Sequence, residues 1–282
     1  MSAETWREGE GPELFVTAPS RSRLGKIQHW DNWAMRLLMV MMVIWAALVC
    51  VGAASGQRRE VTVAAAANLS DVFQDVGRQF EAASGIHPVF SFASTAQLAV
   101  QIENGAPFDV FAAADTEHVE QLEKKGLLVP GSRAVYATGT LALWIPPRSK
   151  VAVNRPEDLV QAGVKVIALA KPELAPYGLA ARETLQKLGI WNQVEARIVY
   201  ADNISMAKQY GSSGNADAVF TAYSLVLKEA GKVIRVSESL HAPIRQAIGI
   251  VAASTHQDTA HRFVDFLLGV KGQAILRGSG YR

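Results

Sequence analysis

The 282-residue chain contains a single cysteine, Cys50. One thiol forms no internal disulfide and supplies no multi-cysteine zinc or iron–sulfur site. Charge of one sign is also scarce: 28 Lys+Arg face 26 Asp+Glu, a formal net charge of +2. Residues 1–56 hold five basic and five acidic side chains, so 23 against 21 remain beyond them. No basic excess points to nucleic acid, and no acidic excess points to a solvated tail. Catalytic signatures are missing as well. There is no G-x-S-x-G elbow, and Gly211-Ser212-Ser213-Gly214 is spaced as a helix stop. No G-x-x-x-x-G-K-[ST] loop cradles a nucleotide. His256 and His261 are five apart, whereas a two-histidine helix site needs i, i+4. His29, His87, His118 and His241 are scattered. These absences argue against an enzyme, a cofactor and a metal cation site. A hydrolase or transferase on the fold described below stays as an alternative, since fold alone does not give function.

What is present begins with a long apolar run. Met35-Arg36 precedes residues 37–54, which carry no charge. The run has the length of a minimal membrane span, but it also has a basic start and small residues at its end. Residues 35–56 are expected to be a signal peptide. Cleavage after Ala53 or Ala54 leaves a chain of about 228 residues. An uncleaved anchor is the alternative. Cys50 as a lipid-attachment site is disfavoured, because Val49 stands before it where that signal wants Gly or Ala. Residues 1–34 show no helical or strand period and read as disordered, or as an extension ahead of a true start at Met35.

The remaining length suggests roughly two domains with ample cores. Arg59–Ala66 is strand-like. Leu69–Ala83 carries a helical period through Leu69, Val72, Phe73, Val76 and Phe80, closed by Gly85. Strand His87–Ala93, helix Gln97–Asn104, strand Asp109–Ala113 and helix Thr116–Lys125 follow. A second series starts at Thr140–Ile145 and continues through strands at Val166–Ala170, Ala196–Tyr200, Ala218–Thr221 and Val233–Val236. Helices Leu179–Leu188, Ile204–Tyr210 and Tyr223–Glu229 separate them. Strand Ile244–Ala252 and two helices, His256–Leu268 and Gly272–Leu276, end the chain. The alternation predicts an α/β protein with two parallel, doubly wound lobes and a ligand cleft between them, beyond the carboxyl ends of the strands.

The turns at those ends carry small and polar residues: Asn68-Leu69-Ser70, Ser94-Thr95, Pro176-Tyr177-Gly178 and Asp202-Asn203. Any one of them reads as an ordinary helix cap. Together, four helix N-termini converging on a cleft would present about +2 of partial charge and many unpaired N–H donors. That matches a tetrahedral dianion, and the turns contain no Lys or Arg. A site of donors alone also rejects a protonated oxyanion.

The segments VAAAANLSDVF, SFASTAQLAVQIENGAPFDVFAAAD and KPELAPYGLAARETLQKLG resemble the molybdate-binding proteins of bacterial ABC transporters, over residues 59–282. The resemblance implies a type II-like periplasmic binding protein, with lobe one at 59–139 and 246–282 and lobe two at 140–245. It implies capture of molybdate, and of tungstate, for delivery to ABC permease subunits by a monomer. A periplasmic or extracellular location after signal cleavage follows, with membrane tethering as the alternative. Binding of another oxyanion, such as sulfate or phosphate, is the nearest rival. Carried over residue by residue, the ligand positions fall on Asn68, on Ser94 and Thr95, on Tyr177, on the backbone of Ile204, and on Thr221 or Tyr223. Thr95 aligns better than Ser94 with the family's ligand serine. Asp109 and Asp115 read as structural, because a carboxylate would repel a dianion.

Overall fold

The computed structural model describes residue 33, residues 35–42 and residues 59–282. Residues 35–42 are helical and exposed. The rest of the expected leader, with Cys50, and the extension 1–34 apart from Trp33 lie outside the described residues. Among the described residues no helix is long and apolar enough to cross a membrane.

The body opens with β1 (Glu60–Ala66), a 3-10 turn (Ala67–Leu69) and α1 (Ser70–Ser84). Val72, Phe73, Val76, Gly77 and Phe80 form the buried stripe of α1, at the spacing of one helical face. Gly85, at φ 70°, ends the helix with a conformation that costs other residues a Cβ clash. β2 (His87–Ala93), α2 (Thr95–Glu103), β3 (Val110–Ala112), α3 (Glu117–Lys124) and β4 (Ala134–Gly139) follow. One residue later the chain starts β5 (Leu141–Ile145). Then come β6 (Ile167–Ala170), α4 (Pro176–Lys187), α5 (Trp191–Val194), β7 (Ile198–Ala201), α6 (Ile204–Ser212), β8 (Ala218–Ala222), α7 (Tyr223–Val226) and β9 (Lys232–Arg235). β10 (Ile244–Ile250), α8 (Gln257–Leu268) and α9 (Val270–Gly278) complete the order.

Two five-stranded sheets result, β2-β1-β3-β10-β4 and β7-β6-β8-β5-β9. Their central strands are buried on both faces, because helices cover both sides of each sheet. Phe73 and Phe80 of α1 pack edge-on against Phe263 of α8, with ring centroids 6.0 and 5.2 Å apart.

The all-parallel expectation is corrected. β1, β2 and β3 are parallel, as are β6, β7 and β8, but β10 runs antiparallel to β3 and β4. β5 likewise runs antiparallel to β8 and β9. Parallel pairing requires a crossover of a dozen or more residues. β5 and β10 are instead the strands by which the chain passes from one sheet to the other, and no crossover helix precedes either. β4 is an element that the sequence pattern did not single out. Its pairing with β10 carries a register shift: Ala137 faces Gln246 while Val135 faces Ala247, so Tyr136 is the extra residue of a bulge.

Candidate functional site

β1 runs straight into the turn that holds Asn68. The turn's own hydrogen bond starts at the Ser70 N–H, which donates to the Ala67 carbonyl, so the N–H groups before it have no acceptor within the turn. Asn68 is 1% exposed. Both hydrogens of its amide are engaged inside the protein: Nδ2 donates to Gln246 Oε1 at 2.8 Å and to Tyr281 Oη at 3.0 Å. Tyr281 Oη donates to the Asn68 carbonyl at 2.8 Å. The side-chain amide expected to reach a ligand is therefore an anchor in this arrangement. The donor left at this position is the backbone N–H.

β2 ends at Ser94, the N-cap of α2. Ser94 Oγ accepts from the Gln97 N–H at 3.4 Å and donates to Gln97 Oε1 at 2.7 Å, and the Ser94 N–H donates to the same Oε1 at 3.3 Å, which closes a capping box. Its proton is thereby engaged. Thr95 differs. Its Oγ1 accepts from the Ala114 N–H at 3.1 Å, just past β3, and keeps its own proton for another acceptor.

In the other lobe, Pro176 takes the first position of α4, where no N–H is needed. Tyr177 is 1% exposed, and its Oη accepts from Gln246 Nε2 at 3.0 Å. Gly178 brings the helix onto the end of β6; a Cβ there would lie 2.1 Å from the Ala170 carbonyl oxygen. Ile204 opens α6, whose N-cap Asn203 accepts from the Met206 N–H at 2.9 Å. Thr221 is fully buried, and its Oγ1 has no partner among the described residues. Tyr223 opens α7, but its N–H donates to the Thr140 carbonyl at 2.9 Å and its ring lies beneath Arg235. That ring lines an outer groove with Arg277 and Arg282, so of the two candidates Thr221, on β8, is the enclosed one.

Sequence reasoning missed the residues that join the lobes. Ser205 Oγ donates to the Ala67 carbonyl at 2.8 Å. Ser224 Oγ donates to Tyr281 Oη at 3.0 Å, and the Ala96 N–H donates to the Leu174 carbonyl at 3.2 Å. Gln246 is fully buried and reaches partners in both lobes. A glutamine beside Arg245 at the start of the otherwise apolar run IRQAIGIVA was the available signal for it. Tyr281, one residue before the last, had none.

The site's groups are neutral hydroxyls and amides. Burial pushes the Tyr136 and Tyr177 phenols well above their usual range, and that of Tyr281 up to about 12. All three stay protonated at neutral pH. The two expected structural carboxylates hold the frame. Asp109 accepts from the Thr62 N–H at 2.7 Å and from Ser254 Oγ at 2.6 Å. Asp115 accepts from the His118 N–H at 3.0 Å.

A groove of about 360 Å³ lies between the lobes, lined by Asp115, His118, Leu174, Pro176 and Glu183 among others. His118 Nδ1 sits 2.8 Å from Asp115 Oδ2, and that hydrogen bond raises the His118 pKa against the opposing effect of burial. A raised histidine pKa stabilises fully below the unfolded value of about 6.5, and the contribution is lost as pH rises through the folded value. The pair is about a quarter exposed, so less than about 1 kcal/mol is at stake. Melting of the parent and of His118→Gln, at about pH 5.5 and pH 8.5, should show the parent's advantage only at the lower pH. An advantage equal at both would place its origin elsewhere.

Two mixed sheets, joined where the chain crosses at Thr140 and again between β9 and β10, define a two-lobe solute-binding protein. The chain belongs to the bacterial extracellular solute-binding protein family, whose model matches residues 61–282. It is 37% identical over 233 residues to the molybdate-binding protein ModA of Azotobacter vinelandii, covering 81% of this chain and 92% of that protein. Against ModA of Rhodobacter capsulatus the identity is 34% over 223 residues, covering 79% and 88%. The solved periplasmic molybdate-binding protein of Azotobacter vinelandii matches with a TM-score of 0.76 at 32% identity, covering 79% of this chain and 98% of that one.

Proposed function

We propose that this chain captures molybdate, and tungstate of the same shape, and delivers it to the permease of an ABC transporter. The observation that carries the reading is the set of neutral donors at facing strand ends: the start of the Asn68 turn, Thr95 at the start of α2, Tyr177 at the start of α4 and Ile204 at the start of α6. None of these residues is charged. Helix N-termini favour an anion without a titratable cation, and hydroxyl protons complete its shell. Asn68 acts through its backbone N–H and holds the turn with its amide. Thr95 and Tyr177 donate hydroxyls, Ile204 donates a backbone N–H, and Thr221 is the contact from β8. Ser94 serves as the cap that keeps Thr95 in place. The relatives' names supply the choice of molybdate over other tetrahedral anions.

The mechanism is closure of two lobes about the two crossings, at Thr140 and at residues 236–243. Open lobes admit the hydrated anion, and closure replaces its water with fixed donors. The closed face is what the permease reads. The chain works as a monomer in the periplasm or outside the cell, freed by cleavage near Ala53 or Ala54, or held by its leader.

Calorimetry tests this directly. One molybdate or tungstate should bind per chain, with sulfate and phosphate much weaker. Ligand at a hundredfold excess over Kd stabilises by about 2.7 kcal/mol, which raises Tm by about 5–10 °C. An unchanged melting curve in millimolar molybdate would sink the reading, and preference for sulfate would reassign the anion.

A further inference from the structure

Four side chains at the junction of the lobes, Tyr281, Asn68, Gln246 and Tyr177, form one hydrogen-bonded chain, and the assignment of donors and acceptors along it has a consequence for the anion. Tyr281 Oη donates its only proton to the Asn68 carbonyl at 2.8 Å, so toward the Asn68 side chain it can only accept. That makes Nδ2 the end of Asn68 that meets it, at 3.0 Å. The second Nδ2 hydrogen then goes to Gln246 at 2.8 Å and requires an oxygen there. Tyr136 Oη stands 2.9 Å from the same Oε1 and 2.9 Å from the Ala113 carbonyl, so its one proton is shared between these two acceptors. With Oε1 accepting, Nε2 is the end of Gln246 that faces Tyr177, and it donates to Oη at 3.0 Å. Tyr177 must accept from the protein, and its own proton is left for a partner outside the network.

Two backbone features hold this arrangement. The bulge at Tyr136 sits opposite Gln246 and Ala247, where it re-aims the tyrosine onto Gln246. Gly139, the last residue of β4, leaves room for the terminal contact. A Cβ there would lie 2.0 Å from Tyr177 Oη and 2.5 Å from Gln246 Nε2.

We propose that Tyr281 and Gln246 are positioning residues, which through Asn68 turn the Tyr177 hydroxyl into a dedicated donor to the bound oxyanion. This rests on the oxyanion reading above. Without the relay, Tyr177 is free to donate its proton to Gln246, and it then presents a lone pair to a dianion. The relay also ties recognition to closure, because Gln246 and Tyr281 stand in one lobe and Tyr177 in the other.

The test is a double-mutant cycle on the full chain, read by calorimetry with sodium molybdate and by melting of the unliganded protein. Tyr177→Phe should raise Kd by about ten- to a hundredfold, the loss of a hydrogen bond to a charged group. Tyr281→Phe keeps the ring and removes the head of the relay, and should raise Kd by about tenfold. The double variant should bind no worse than Tyr177→Phe alone. A merely structural role for Tyr281 predicts that the two losses multiply, and that result overturns the proposal. So does a Tyr281→Phe protein that binds like the parent. Gln246→Met, run through the same cycle, replaces Tyr281→Phe should that variant fail to fold. A parent chain that ignores molybdate overturns the function reading and the relay with it. A parent that binds while the two losses multiply overturns the relay alone.

Discussion

Gly178→Ala is expected to abolish most anion binding and to lower the melting temperature, even though alanine is the better helix former. The intrinsic gain from Gly to Ala inside a helix is about 1 kcal/mol. Against it stands a Cβ placed 2.1 Å from the Ala170 carbonyl oxygen and 2.8 Å from its carbon. Both are backbone atoms of β6, so no flexible side chain can yield. Forced overpacking of this kind costs about 3 kcal/mol at the upper end of its usual range. The net loss of about 2 kcal/mol lowers Tm by about 4–8 °C. Relief comes only by lifting the start of α4 off the sheet, and Tyr177 is the neighbouring residue. Its hydroxyl and the helix-start donors leave the site together, so Kd should rise more than a hundredfold, above the single-contact loss of about ten- to a hundredfold. Thermal melting and calorimetry with molybdate check both halves. A Gly178→Ala protein that melts higher and binds normally would show that α4 does not sit where its glycine is needed.

Ser94→Ala and Thr95→Val should separate, although the residues are neighbours. Ser94 has its proton on Gln97 Oε1 and closes a capping box. Its loss costs about 1 kcal/mol, or about 2–4 °C in Tm, with Kd nearly unchanged. Thr95→Val keeps the shape and removes two functions. The Ala114 N–H loses its acceptor, a buried donor left unmade at a cost of about 1–3 kcal/mol. The anion loses a hydroxyl donor, worth about ten- to a hundredfold in Kd. Measuring Tm without ligand and Kd on each variant distinguishes the roles. A Thr95→Val protein with the parent's Kd would leave Thr95 as a structural threonine only, and a large Kd change at Ser94 would return that residue to the ligand shell.

Much of the architecture was legible because it rests on local period. α1 declares itself by Val72, Phe73, Val76 and Phe80 on one face and by Gly85 after it, all within four turns of chain. Strand His87–Ala93 is bounded by Gly85 and by the Ser94 cap, and its limits are those read from the sequence. The turns carrying Asn68, Thr95, Tyr177 and Ile204 were visible as strand-to-helix junctions for the same reason. Each junction is made by residues adjacent in the chain.

Direction and partnership were not legible, because they depend on residues far apart. AVYATG, the sequence of β4, has no strong alternation of its own, and it becomes a strand by lying against β10 more than a hundred positions later. The antiparallel course of β5 and β10 follows from which sheet the chain is leaving, a property of topology rather than of any window. Asn68 and Tyr177 could be placed at the site from their neighbours, but which atoms of each remain for a ligand could not. Asn68 bonds Tyr281 across 213 positions and Gln246 across 178, and Gln246 bonds Tyr177 across 69. An amide or a phenol has a fixed number of donors and acceptors, so what it offers an anion is what its buried partners leave over. Only the tertiary structure brings those partners together.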